Sequence, residues 1–188
     1  MQILAKLIVA TAILFSTCLI NPEVAVNKPG AIEVVGVNDG DTVTVFFADE
    51  KRQQKIRLAT IDAPEYAQPY GKKSRQYLSD LVFKKKIRLR ELGRDKYGRI
   101  IGEIFIDEKN INVEQIKSGF AWHYKHHERQ QSYKERVIYS EAEKYAREQR
   151  LGVWQDDNPI PPWEYRRNPP RNQKKQNRSE ILTEQEYE

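Results

Sequence analysis

The sequence has almost no cysteine: one residue in 188, Cys18, and that one falls in an apolar N-terminal run. Beyond that run a disulfide framework and a thiolate metal site are excluded, so any metal has to be held by oxygen or by histidine. Histidine is scarce as well, with three residues crowded between positions 123 and 127. After the first twenty residues no long hydrophobic run remains, and with 31% charged residues the chain reads as a soluble globular protein, not a bundle of membrane helices. No internal repeat is visible.

Among what is present, the formal net charge of +5 suits a polyanionic partner, although so modest an excess does not specify nucleic acid. The opening "MQILAKLIVATAILFSTCLI" has one lysine before an apolar stretch from Leu7 to Phe15, the pattern of a secretory signal. It lacks a clean A-x-A cleavage site, so an uncleaved anchor, or a lipid on Cys18, is the alternative. The protein is therefore expected to be exported: secreted, periplasmic or at the cell surface. Residues 1–20 are read as this signal or anchor, 21–30 as a linker, 31–167 as the folded domain and 168–188 as a disordered charged tail.

Within the domain, Ile32–Val37, Thr42–Ala48 and Lys55–Ile61 are β-branched runs between turn signals, followed by a helix over Gly71–Lys85 with Tyr77, Leu78, Leu81 and Val82 on one face. Strands Lys86–Leu92 and Arg99–Ile106 come next, then a short helix over Asn112–Lys117 with Asn112 as N-cap. A long helix, Tyr133 to Arg150, sets Val137, Ile138, Ala142 and Tyr145 at core spacing. Gly152 ends it in a left-handed conformation, and Trp154 folds back on the domain. Ile160, Trp163 and Tyr165 are expected to pack in an extended, proline-stiffened path. The order predicts an α+β protein, a five-stranded OB-like β-barrel with about three helices.

The stretch "VNDGDTVTV" has the chemistry of a tight turn, with Asp39 bonding the backbone and Gly40 accepting a positive φ. Asp41, at the start of the next strand, is one carboxylate more than a turn needs. Asp62 in "TIDAPE" follows the third strand just as closely, and antiparallel neighbours can bring both acids to one barrel rim. Two adjacent carboxylates call for a cation or a proton between them, and Ca²⁺ suits such oxygen ligands. Spacing alone also fits two unrelated turn aspartates.

The segments "DGDTVTV", "IRLATIDAPE" and "DKYGR", in this order and spacing, resemble the staphylococcal nuclease (thermonuclease) family, as do "GFAWHY" and "WQDDNPIPPWEYRR". The resemblance spans roughly Ile32 to Arg167. It implies that Asp41 and Asp62 bind calcium through carboxylates and Ala63 through its carbonyl, and that Arg57, Glu65 and Arg99 are catalytic. Lys96 and Tyr97 match residues beside a substrate phosphate, and Tyr124 matches an aromatic that stacks on a base. The activity so implied is a calcium-dependent endonuclease that hydrolyses DNA and RNA by in-line attack of water and leaves 3′-phosphate ends. The chemistry agrees: two guanidiniums and a divalent cation complement the charge that builds on phosphorus-bound oxygens, and Glu65 can handle the water. DNA and RNA are then the partners of a monomer, with a membrane tether through the N-terminus as the variant.

His123, His126 and His127 are weak metal candidates and are read as surface or groove residues. Lys72, Lys73, Arg75 and Lys84 to Lys86 are solvated faces that can steer a phosphate backbone. Two other classes of function compete, a non-catalytic OB-type nucleic-acid or protein binder and a tethered structural protein of the envelope. A binder has no use for Asp41, Arg57, Asp62, Glu65 and Arg99 together.

Overall fold

The computed structural model describes residues 32–126 and 131–168. The signal or anchor, the linker, the tail and His127 lie outside the described residues. Among those described, no helix is long and apolar enough to cross a membrane.

Five strands close the barrel: β1 (Ile32–Val37), β2 (Thr42–Phe47), β3 (Arg52–Leu58), β5 (Lys86–Arg94) and β6 (Ile100–Ile106). They run β3-β2-β1-β5-β6, and a parallel pairing of β3 with β6 joins the two ends. Alternation does the sorting, since Ile56 and Leu58 of β3 are buried while Arg57 between them faces outward. The core combines Val34, Val43, Val45, Ile56, Leu89, Ile100 and Ile104 with Leu78 and Val82 of helix α1 (Gly71–Val82).

The third strand starts and ends three residues earlier than expected. Thr60 takes a φ of 62°, which no β-branched residue adopts within a strand, and this breaks the run after Leu58. Ile61–Asp62 forms a separate short strand, β4, paired with β8 (Trp122–His123). Another two-residue strand, β7 (Lys109–Asn110), precedes helix α2 (Ile111–Lys117). The N-cap of α2 is Asn110, not Asn112: the Asn110 side chain accepts from the N–H groups of Asn112 and Val113. Asn112 is instead buried, with its amide donating to Ala59 O at 3.0 Å and Gly102 O at 3.2 Å.

Helix α3 (Tyr133–Glu148) opens on a Ser132/Glu135 capping box, and Gly152 beyond it has a φ of 52°. Its buried face is Tyr139, Ala142, Glu143 and Ala146, whereas Val137, Ile138 and Tyr145 are largely exposed. Both stripes have helical spacing. The buried face packs against α2 and sets the Tyr139 hydroxyl to donate to Glu103. Trp154, in a 3-10 turn over Gly152–Gln155, packs edge-on to Trp122 at 5.3 Å.

The proline-rich stretch is a further difference, because Pro162–Arg167 forms a helix, α4, with Pro162 in its first turn. Tyr165 is buried, Trp163 packs beside Trp122, and Ile160 is exposed. Truncation before Asn158 is expected to lower the melting temperature, since each lost buried side chain is worth about 1.5–3 kcal/mol. A chain ending at Asn168 should melt like the full chain. Equal melts for the two truncations would show that α4 contributes nothing to the folded domain.

Candidate active site

The turn between β1 and β2 places the first acid. Asp39 Oδ1 accepts from the Asp41 N–H at 3.0 Å, the local bond of an Asx turn. Gly40 is not at positive φ, contrary to expectation. Glycine is required there because a Cβ would run into Ser74 Oγ and lie 2.7 Å from the Ala63 Cβ. This close approach seats the turn on α1 and on the Asp62–Ala63 segment.

Register does the rest. Thr42 pairs with Arg57 across β2 and β3, so Asp41 lies just beyond the Arg57 side chain. Leu58 N donates to Asp41 O at 2.7 Å and Ala63 N to Asp41 Oδ2 at 2.9 Å, tying the third strand and the β4 segment to the same acid. The Arg57 guanidinium bridges the two carboxylates: Nη1 pairs with Asp41 Oδ2 and Nη2 with Asp62 Oδ1 at 3.0 Å. Asp41 and Asp62 are 6% and 1% exposed, so neither charge has much water to rely on.

A second guanidinium, which the sequence reading missed, completes the cluster. Arg166 of α4 donates from Nη2 to Asp62 Oδ2 and from Nη1 to Glu65 Oε1, both at 2.7 Å. Its one visible signal was a basic pair closing "WEYRR".

The electrostatics are those of an acid-rich centre. Burial alone would raise Asp41, but the Arg57 charge and the Ala63 N–H hold it below the usual carboxylate range. Asp62 is raised, by burial first and then by the Asp41 charge, despite both arginines. Asp39 is pushed up to about 7 by burial and by the neighbouring Asp41 charge. Three carboxylates (Asp41, Asp62, Glu65) are thus paired with two guanidiniums (Arg57, Arg166). The donors are hard oxygens, and Asp41 and Asp62 stand within the span of one guanidinium, so this set fits Ca²⁺. Among the described residues no group of three or more His, Cys, Asp or Glu side chains is arranged to hold a metal. Two carboxylates with carbonyl or water oxygens are therefore the donor set on offer.

Arg57 also lines the neighbouring cavity, of about 470 Å³, together with Lys96, Tyr97, Arg99 and Tyr124. Barrel closure explains this gathering: Ile56 pairs with Ile100, which brings Arg99 at the start of β6 beside Arg57. Arg99 is fixed by Asp95, which accepts from Arg99 Nε at 2.7 Å and from the N–H groups of Tyr97 and Arg99 at 2.9 Å. Burial would raise Asp95, but those bonds together hold it below the usual carboxylate range. On the far side Arg90 pairs with Glu103 and Glu135, and Glu103 accepts from Tyr139 Oη at 2.6 Å. The sequence reading singled out neither Asp95 nor this network.

The structure therefore collects the expected residues into two adjoining groups, Asp41, Asp62, Ala63 and Glu65 in one and Lys96, Tyr97, Arg99 and Tyr124 in the other, with Arg57 in both. The histidines stand differently. His123 is buried, not a surface residue, and its Nε2 is 2.9 Å from Gln131 Oε1. His126 is exposed, with its ring 5.1 Å from that of Tyr124.

A small OB-like barrel with buried acids under arginine forks, beside a cavity lined by cationic and aromatic residues, defines a protein built to meet an anionic ligand at its rim. The family profile described as "Staphylococcal nuclease homologue" matches residues 55–156, and the chain belongs to that family. It is 42% identical over 134 residues to a protein of Haemophilus influenzae named "uncharacterized endonuclease", covering 71% of each chain. A "micrococcal nuclease" of Shigella flexneri is 38% identical over 144 residues, covering 72% of this chain and 79% of that one. An "uncharacterized endonuclease" of Escherichia coli is 37% identical over 134 residues, covering 71% and 82%.

Proposed function

We propose that the protein is an endonuclease that hydrolyses phosphodiester bonds of DNA and RNA with the help of calcium. The observation that carries this reading is the Arg57 guanidinium joining two buried carboxylates on one side and a cationic cavity on the other. The cavity binds the phosphate: Arg57 and Arg99 donate charge-assisted hydrogen bonds to its non-bridging oxygens, and Asp95 holds Arg99 in place for that contact. Glu65 orients the attacking water and accepts its proton. Asp41, Asp62 and the Ala63 carbonyl would hold the calcium ion, which would supply further positive charge near the phosphate.

Attack in line with the 5′-oxygen leaves a 3′-phosphate. Lys96 and Tyr97 flank the next phosphate and Tyr124 offers a face for a base, contacts that carry little sequence preference. Export and a monomeric state belong to the same reading and come from the sequence. Plasmid incubated with the purified domain should be nicked and degraded in calcium and stay intact in excess chelator. Full activity in chelator would sink the calcium assignment, and no cleavage under either condition would favour the binding-module alternative.

A further inference from the structure

Arg166 lies 104 residues beyond Asp62 in the chain, yet it makes more contacts with that acid than Arg57 does. Its Nη1 reaches Asp62 Oδ1 at 3.2 Å and Nη2 reaches Asp62 Oδ2 at 2.7 Å, so the fork takes both oxygens, and Nη1 also ties Glu65 Oε1 at 2.7 Å. Asp62 is 1% exposed while the Arg166 side chain is 45% exposed. The acid cannot lose its partner to water, but the arginine can leave.

The helix does not depend on this contact. Tyr165 Oη donates to Ala67 O at 3.2 Å, Gln68 Nε2 donates to Ile160 O at 2.6 Å, and Trp163 packs on Trp122. These hold α4 on the 65–68 loop by backbone and ring contacts that a swing of the Arg166 side chain leaves intact.

We propose that Arg166 is the displaceable counter-ion of the carboxylate centre: its guanidinium and a divalent cation occupy Asp62 and Glu65 in mutual exclusion. The inference rests on the reading of Asp41 and Asp62 as cation ligands. Without the cation, Arg166 neutralises Asp62 and immobilises Glu65. A cation that takes Asp62 expels the fork, and the same event frees Glu65 to handle water. Arg166 is thus a positioning residue that sets the cation concentration at which the site fills and couples that filling to release of Glu65. Because linkage is reciprocal, whatever stabilises the Arg166 contact weakens the cation by the same factor.

The test is calorimetric titration of Ca²⁺ into the chelator-treated full chain, alongside thermal melts with and without calcium. Arg166→Gln should bind calcium about tenfold more tightly than the wild type, since a competing charged hydrogen-bond pair is gone. It should melt lower than the wild type in chelator and match it in saturating calcium. A purely structural ion pair would lower both melts and leave calcium affinity unchanged, and that result, or weaker binding, overturns the proposal. If Arg166→Gln does not fold, Arg166→Lys decides in its place, because it keeps the charge but loses the planar fork: tighter binding supports the proposal, equal or weaker binding overturns it. Asp62→Ala separates the two readings. Undiminished calcium binding by that variant sinks the cation site itself, whereas lost binding with unchanged affinity in Arg166→Gln sinks only the counter-ion role.

Discussion

Arg57→Ala is expected to remove nearly all cleavage and to destabilise the protein as well. The rate should fall by about 10²–10³, the usual effect of deleting a donor aimed at developing charge. The stability loss has a separate cause. Asp41 keeps its ionised form against burial because Arg57 stands beside it, and removing one partner of a buried pair costs about 3–5 kcal/mol. The lower end applies here, since Arg166 still covers Asp62.

The pH dependence gives this prediction its sign. In the wild type the folded-state pKa of Asp41 lies below its unfolded value, so its contribution is present above about pH 3.8 and lost as pH falls through the folded value. In Arg57→Ala the main opposing charge is gone and the Ala63 N–H is left to hold Asp41 against burial, so the deficit is absent at low pH and grows as pH rises. Melts in chelator should therefore differ most near neutral pH and converge on acidification. Equal melts at pH 7 would show that Arg57 is not the counter-ion, and cleavage within a few-fold of wild type would remove it from the mechanism.

Glu65→Gln and Arg99→Ala are expected to lose activity on a similar scale, about 10²–10³ each, with the fold intact. Glu65 has a side chain 42% exposed, and its one ion pair, to Arg166, is of the partly solvated kind that contributes about 0–1 kcal/mol. Arg99 stands at the cavity wall, and truncating it opens no void in the barrel core, which is built from Ile100 and its neighbours. Rates on plasmid in saturating calcium, with a thermal melt of each variant, separate chemistry from folding. Near-wild-type hydrolysis by both variants would take them out of the reaction, and a large fall in melting temperature would mean that they support the fold.

The barrel was legible because its information is local. In "IEVVGV" and "TVTVFF" the buried apolar residues alternate, Ile32 and Val34 in one and Val43, Val45 and Phe47 in the other, and a period of two survives whatever partner the strand finds. The acids were legible for a related reason: Asp41 stands one residue before β2 and Asp62 closes the short strand β4, places where the chain has to turn. The face of α3 was not legible, since Ile138, Ala142 and Tyr145 lie at helical spacing just as Tyr139, Ala142 and Ala146 do. Only the packing on α2 and the bond from Tyr139 to Glu103 select the stripe that is buried.

By itself, then, the sequence determined an OB-like barrel, the pair of acids on its rim and the basic and aromatic residues suited to a phosphate chain, all readable within runs of a few residues. Tertiary structure alone decided which cations those acids meet. Parallel pairing of β3 with β6 sets Arg57 beside Arg99, a close contact at Gly40 brings Asp41 to Ala63, and the docking of α4 delivers Arg166 to Asp62 and Glu65. The physical reason is that a buried charge takes as partner whatever guanidinium the packing carries within about 3 Å, and packing joins residues that are far apart in sequence.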